Sequence, residues 1–274
     1  MPDELFPGAA SVESAFEHLL AAGDHVLIVD EKRRSQMIEL KVGARASTHQ
    51  GFLEHDDMIG LPSASKVFTN KGSGFWVVRP SLAEAISAMP RGAQVIYPKD
   101  LGKILMAADV RPGMKVLESG LGSGALSMAL LNAGALVTGY ELRSDFANRA
   151  RNNVRTYLGG AALESYKVEL RDIYDGIDGG PYERVLLDLP EPWLVIERLP
   201  GQLVAGGILL AYQTSVGQLE QFRRALAEGG FVLPETTEVL ERKWYFSRQA
   251  LRPEHSMVAH TGFLTWARMP PAGA

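Results

Sequence analysis

The stretch Lys115–Ala125, KVLESGLGSGA, constrains the fold more than any other part of the chain. An apolar strand-like run stops at three closely spaced glycines, and the apolar segment GALSMALLNAG follows at once. Glycines let the backbone turn tightly and let a ligand approach the main chain closely. The helix behind them presents free N–H groups. Such a strand–loop–helix unit predicts an open α/β sheet, and the downstream segments continue the alternation. ALVTGYE (135–141) reads as a strand and SDFANRARNNVRTYL as a helix. YKVEL, RVLLDL and GILLAYQ read as strands, with helices after the last two, and a final pair of strands falls near 231–240 and 262–268. The expected result is a mostly parallel sheet covered on both faces, with ligands bound beyond the strands' carboxyl ends where the winding reverses.

Upstream the pattern changes. Residues 11–22, SVESAFEHLLAA, predict a short amphipathic helix with Phe16, Leu19 and Leu20 on its apolar face. HVLIVD (25–30) and QMIELKV (36–42) predict strands, and KVFT and FWVVR flank the hairpin signal Asn70–Gly74. Ser81-Leu82-Ala83-Glu84 has capping-box form and starts a helix that Pro90 ends; another runs from Pro98 to about Asp109. The expected organisation is an extension at 1–24, a small β-rich domain at 25–80 and the α/β domain at 81–274.

Composition narrows the classes. The 274 residues are 46% hydrophobic and 22% charged, the balance of a globular protein with a full core. The absence of cysteine excludes disulfides and thiolate zinc sites. No apolar run of the roughly 18 residues needed to cross a bilayer is present, nor an N-terminal secretory pattern, so no membrane partner and a cytoplasmic setting are expected. The net charge of −4 opposes a broadly basic nucleic-acid face, although local patches decide such binding.

Glu118 stands at the strand end just before the glycines. An acid there suits a cationic amino group, as in a methionine moiety, and repels a pyrophosphate. Glu141 ends the next strand, placed to accept both hydroxyls of a ribose. Gly120-x-Gly122-x-x-Ala125 with Glu141 also satisfies the dinucleotide fingerprint, so this motif alone leaves NAD open. Asp172, just past YKVEL, is within reach of an adenine amino group, and no Tyr-x-x-x-Lys pair or cysteine offers hydride-transfer machinery. Together these favour S-adenosylmethionine. In Asp188-Leu189-Pro190-Glu191-Pro192-Trp193, Asp188 ends a buried strand beside the glycine loop, with Trp193 offering a flat face. Its other reading is a cap on the next helix. His49, His55, His255 and His260 lack an acidic cluster, so structural roles and no metal are expected. Arg149, Arg151 and Arg155 read as a solvated helix face, and Lys32-Arg33-Arg34 as a turn suited to phosphate contact.

Further blocks are more distinctive: Thr48-His49-Gln50-Gly51, Arg79-Pro80-Ser81-Leu82, Met89-Pro90-Arg91-Gly92, Tyr97-Pro98-Lys99-Asp100, Tyr140-Glu141-x-Arg143, Arg252-Pro253-x-His255-Ser256-Met257 and His260-Thr261-Gly262-Phe263-Leu264. With these the chain resembles the TrmI family of tRNA (adenine-58-N1)-methyltransferases from about residue 25 to 268. The resemblance implies a small β domain on a class I methyltransferase domain, a Rossmann-like, mostly parallel seven-stranded sheet. It also implies a homotetramer, S-adenosylmethionine as cofactor and tRNA as the substrate methylated at N1 of adenosine 58. Carried over by position, Asp188 touches the target adenine and borders the cofactor, and Tyr97 lines the catalytic pocket. Gly120, Leu121, Gly122, Ser123 and Gly124, with Glu118, Glu141, Phe146 and Asp172, hold the cofactor. Ser119 stands where alanine is usual and Phe146 where histidine is common, so that contact becomes apolar. The alternatives are a class I methyltransferase for another substrate and a non-catalytic RNA-binding homologue; the intact Asp188 and glycine loop oppose the latter.

Overall fold

Short apolar runs punctuated by turn residues over 25–80 give six strands: β1 (His25–Asp30), β2 (Ser35–Glu39), β3 (Arg45–Thr48), β4 (Gly51–Glu54), β5 (Ser65–Phe68) and β6 (Gly74–Val78). The computed structural model describes residues 19–90, 92, 94–247 and 249–273. The helix expected at 11–22 lies outside these up to His18; Leu19 to Ala22 are not helical, and Leu20 is buried. Four strands form an antiparallel sheet in the order β2-β1-β6-β5, and β3 pairs with β4 as a separate hairpin. Val26, Ile28, Val67, Phe75 and Val77 point inward and close a core with Leu20, Leu40, Leu53 and Met58. The capping box at Ser81 forms: the Ser81 amide donates to Glu84 Oε2 (2.8 Å) and the Glu84 amide to Ser81 Oγ (3.3 Å). It opens α1 (Leu82–Ala88), and the chain divides into two units between Ala88 and Met89, so α1 counts with the first.

The second unit begins its regular structure with α2 (Pro98–Ala107), where proline occupies the first turn and tolerates its missing N–H. Then follow β7 (Lys115–Ser119), α3 (Ala125–Asn132), β8 (Leu136–Glu141), α4 (Ser144–Leu158), β9 (Tyr166–Leu170), β10 (Tyr182–Leu187), β11 (Leu203–Gln213), α5 (Val216–Glu228), β12 (Val232–Glu238), β13 (Trp244–Ser247), β14 (Ala250–Pro253) and β15 (Phe263–Arg268). Seven of these strands make one sheet in the order β12-β15-β11-β10-β7-β8-β9. The pairs from β9 through β8, β7 and β10 to β11 are parallel, whereas β15 runs antiparallel to both β11 and β12. This is the class I methyltransferase arrangement. α3 is apolar all round because it is buried from Ala125 to Leu130, as expected for a helix inside the layer. α4 buries only one stripe: Phe146, Ala147, Ala150, Asn153 and Val154.

Three expectations need correction. The segment after β10 is a 3-10 turn at Pro192–Arg198 and not an α-helix. β13 and β14 form a hairpin inside the loop between β12 and β15. Nor is the arginine face of α4 simply solvated: Arg151 donates to the Val168 carbonyl (2.6 Å), and Arg149 lies over the Phe146 ring with one buried guanidinium nitrogen that has no hydrogen-bond partner among the described residues.

Candidate active site

The winding reverses at β7, whose neighbours are β8 on one side and β10 on the other. A crevice of about 540 Å³ opens there, in the range of small-molecule sites. Its wall includes Ser119, Gly120 and Gly122 from the loop after β7, Glu141 and Phe146 from β8 and α4, Asp172, and Asp188 after β10. The local chemistry explains this placement. Gly120 sits at φ +87°, and a Cβ there would collide with the Asp188 carbonyl oxygen, so the two strand ends approach only because Gly120 has no side chain. The Asp188 amide donates to the Ser119 carbonyl at 2.9 Å and fixes that approach. At Gly122, φ +51°, nothing lies within 4 Å of where a Cβ would stand, so this backbone is open to a ligand.

The acids differ in environment. Glu141 accepts from the Gly122 amide (3.2 Å) and the Arg143 amide (3.0 Å), which hold its carboxylate rigidly on the crevice wall. Asp172 accepts from the Tyr174 amide (2.9 Å) and caps a short turn. Asp188 is half-buried, and among the described residues its carboxylate has no hydrogen-bond or ion-pair partner. Burial, reinforced by the nearby Glu141 charge, pushes its pKa up to about 7. It does not cap the following turn, whose first flanking residue is Glu191.

Glu118 lies behind the loop and does not line the crevice. It is 1% exposed; one oxygen accepts from the Ser127 hydroxyl (2.7 Å), which also meets the Tyr166 hydroxyl (2.8 Å), and the other is buried without a partner among the described residues. Burial lifts its pKa to about 8 against the lowering by Ser127, with smaller upward contributions from the Asp188 and Glu141 charges. Leu121 and Ser123 are also buried, so they can offer a ligand little beyond backbone. Gly124 packs on Ala150. The guanidinium groups of Arg143 (4.0 Å) and Arg149 (5.5 Å) both lie over the Phe146 ring.

Tyr97 falls elsewhere. It lines a second cavity of about 350 Å³ with Lys99, Glu241, Lys243, Glu254, Ser256, Met257 and Val258. Beside it is a buried cluster: Lys99 Nζ donates to Asp100 Oδ1 (2.8 Å), the Val239 carbonyl (2.7 Å) and Thr261 Oγ1 (2.6 Å), and Thr261 donates to Asp100 Oδ2 (2.7 Å). All three ammonium hydrogens are satisfied. Tyr212 lines the first crevice, donates to the Thr261 carbonyl (2.6 Å), and lies within electrostatic reach of Asp188, Asp100 and Tyr97. Sequence reasoning missed Tyr212 and Gln94, another residue of the crevice wall. The signal was the HTGFL block: a Cβ at Gly262 would strike the Tyr212 ring.

Two of the histidines are held by neighbouring groups. His55 Nδ1 accepts from the Lys41 amide (2.9 Å), and His260 pairs with Glu238 (2.6 Å). Among the described residues no cluster could hold a metal, and no helix is long and apolar enough to cross a membrane.

The model of the "tRNA methyltransferase complex GCD14 subunit" family matches residues 76–251, and that of the "TrmI-like N-terminal" family matches 19–67. This chain belongs to the GCD14/TrmI family of tRNA methyltransferases. The tRNA (adenine(58)-N(1))-methyltransferase TrmI of Thermus thermophilus is 32% identical, with 89% of this chain and 96% of that protein covered. The solved structure of the tRNA adenosine-58 methyltransferase TrmI from Aquifex aeolicus superposes with a TM-score of 0.81 at 28% identity, covering 92% of this chain and 98% of that one. A Thermotoga maritima structure described as a SAM-dependent O-methyltransferase gives a TM-score of 0.87 at 30% identity, covering 92% and 94%.

Proposed function

We propose that this enzyme transfers a methyl group from S-adenosylmethionine to N1 of adenosine 58 in the T-loop of tRNA. The observation that carries the reading is the Asp188 carboxylate, without a partner among the described residues, at the point where the ends of β7 and β10 approach each other. The residues present fit the methyl donor. Gly122 leaves its backbone bare, Glu141 presents a rigid carboxylate to ribose hydroxyls, and Asp172 stands ready for an adenine amino group. The crevice is acid-rich, while the rim cations Arg143 and Arg171 are already paired with Asp145 and Asp178. That balance suits a cation and opposes a pyrophosphate, so it disfavours NAD. Glu118 reaches the donor's amino group only by turning its unpartnered oxygen toward the loop.

When bound, S-adenosylmethionine supplies an electrophilic methyl group. A stacked adenine must leave its helix to reach the pocket. Its N1 attacks with a ring lone pair, so no proton has to leave first. Asp188 accepts a hydrogen bond from the exocyclic N6 amine, orients the ring and stabilises the positive charge that grows on it. Tyr97 and the cavity beside it take the remainder of the nucleotide, with Tyr212 on the wall of the donor crevice. Methyl transfer to oxygen is the second reading, favoured by the Thermotoga description and by the raised pKa of Asp188, which suits a general base.

The test is incubation with unmodified tRNA and labelled S-adenosylmethionine, followed by nucleoside mass spectrometry. The expected product is 1-methyladenosine at position 58. Label on a ribose oxygen supports the second reading, and no label in RNA defeats both.

The same reading makes the protein a cytoplasmic homotetramer, with an auxiliary module that ends at Ala88 and a methyltransferase domain that begins at Met89. The β13–β14 hairpin exposes Trp244, Phe246 and Leu251 by 60%, 78% and 68%, an apolar surface that suits contact between copies. A monomer by light scattering at micromolar concentration would refute the assembly.

A further inference from the structure

A solvated strand normally carries polar residues on its outer face. The first unit departs from this on β5 and β6. Lys66 pairs directly across from Trp76, and Phe68 lies across from Gly74, so Lys66, Phe68 and Trp76 share the face opposite the core residues Val67, Phe75 and Val77. Phe68 is 58% exposed and Trp76 46%. The Lys66 ammonium stands 5.8 Å from the Phe68 ring centre and 5.9 Å from that of Trp76, bridging the two. Gly74 makes this possible, because a Cβ there would come within 2.5 Å of Lys66 Cε. β5 is also an edge strand, where exposed aromatics invite unwanted pairing.

The pairing of Asp30 with Phe75 brings the β1–β2 turn and the β5–β6 turn to one end of the sheet. The first carries exposed Lys32 and Arg33 beside Glu31, which pairs with Lys66 (3.8 Å) across open solvent, and the second carries exposed Lys71. Two open π-faces bridged by a cation, with further cations at the rim, fit a partner with flat rings and negative charge. Lysine is depleted from the centres of protein–protein interfaces, so a second copy of this chain fits less well.

We propose that this face is a stacking platform for an unpaired nucleotide of the RNA substrate, separate from the methylated base. Trp76 and Phe68 take bases, and Lys66, Lys32, Arg33 and Lys71 take phosphates. The inference rests on RNA being the substrate. Stacking on aromatic side chains is the usual grip on unpaired strands and tolerates any sequence.

The experiment uses full-length protein, unmodified tRNA, binding by anisotropy and steady-state methylation. Trp76→Leu with Phe68→Leu keeps apolar bulk but removes the flat rings. It raises the Kd and KM for tRNA by roughly tenfold or more, the scale of losing one to two stacked bases. It leaves kcat at saturating tRNA and the affinity for S-adenosylmethionine unchanged. Trp76→Phe in the wild-type background retains most of the affinity, which a merely apolar contact would not require. Unchanged tRNA affinity in the double variant, with methylation intact in the wild type, overturns the platform and leaves the proposed activity standing. Loss of affinity that follows only a loss of assembly by light scattering overturns it too, since the face is then a contact between copies. A wild-type protein that neither binds nor methylates tRNA defeats both proposals.

Discussion

Replacing Glu118 by glutamine isolates the most unusual charge in the second unit. The carboxyl is buried behind the glycine loop, with one oxygen on Ser127 and the other unpartnered. Its displacement from 4.5 to about 8 corresponds to about 5 kcal/mol of preference for the protonated form, an upper figure because the site is coupled to other acids. The folded state holds this proton where the unfolded chain has released it. The stability is therefore complete below about pH 4.5 and is lost as pH rises toward about 8, by up to about 1.4 kcal/mol per pH unit. Glutamine keeps the shape and the Ser127 contact but does not titrate. Its amide hydrogens meet the unpartnered side of the pocket, which costs about 1–3 kcal/mol at every pH. Glu118→Gln is thus less stable than the wild type near pH 5 and more stable near pH 8, with the curves crossing near pH 6 on these magnitudes. Urea unfolding of ligand-free protein at the two ends of this range measures the difference. Parallel curves with a constant offset would show that Glu118 titrates normally and that the argument from burial is wrong. If the donor's amino group settles within reach of this acid, binding drives the proton off. Calorimetry near pH 7 in buffers of different ionisation enthalpy then shows more proton release by the wild type than by Glu118→Gln, in which Asp188 is still left to titrate near that pH.

Asp188→Ala should leave S-adenosylmethionine affinity nearly intact and slow single-turnover methylation by roughly 10²-fold or more, the scale of losing one preorganised electrostatic partner; a near-wild-type rate would refute the role. Because the active form is the carboxylate and its pKa is raised to about 7, kcat/KM should climb as pH rises through about 7 and then level off. Gly122→Val should abolish S-adenosylmethionine binding by titration, since a branched side chain at φ +51° would fill the open space. Lys99→Met strands Asp100 without its cation and should cost roughly 3–5 kcal/mol in urea unfolding, with Asp100→Leu added on top restoring part of it.

The architecture was legible where periodicity and punctuation agreed. KVLES, SDFANRARNNVRTYL and YKVEL match β7, α4 and β9 residue for residue. The hairpin at 244–253 was not, because its exposed Trp244, Phe246 and Leu251 give no inside–outside alternation, and the turn after β10 was misjudged because Pro192 and Pro200 bracket a run too short for an α-helix. For the site, sequence order brings Gly120, Glu141, Asp172 and Asp188 to strand ends, and these converge on one crevice. It carries no information on rotamers, so it could not show Glu118 turned inward to Ser127 or Tyr97 facing a different cavity. Tyr212 depends on a contact 49 residues away in sequence and the Lys99–Asp100–Thr261 cluster on segments about 160 residues apart, which no local pattern reveals.

The position of β15 bears on how the chain is made. β12 is synthesised before β15 yet touches the sheet only through it, since β15 is inserted between β11 and β12. While the ribosome has not yet released residues 263–268, β12 has no strand to join and β11 remains an open edge. Lys99 likewise waits for Thr261 before its last hydrogen finds a partner. The glycine loop and its acids can assemble early from neighbouring segments, but the Tyr212 wall cannot. A nascent chain therefore holds the glycine loop and its acids before it holds Thr261, on which both Tyr212 and Lys99 rely for a hydrogen bond.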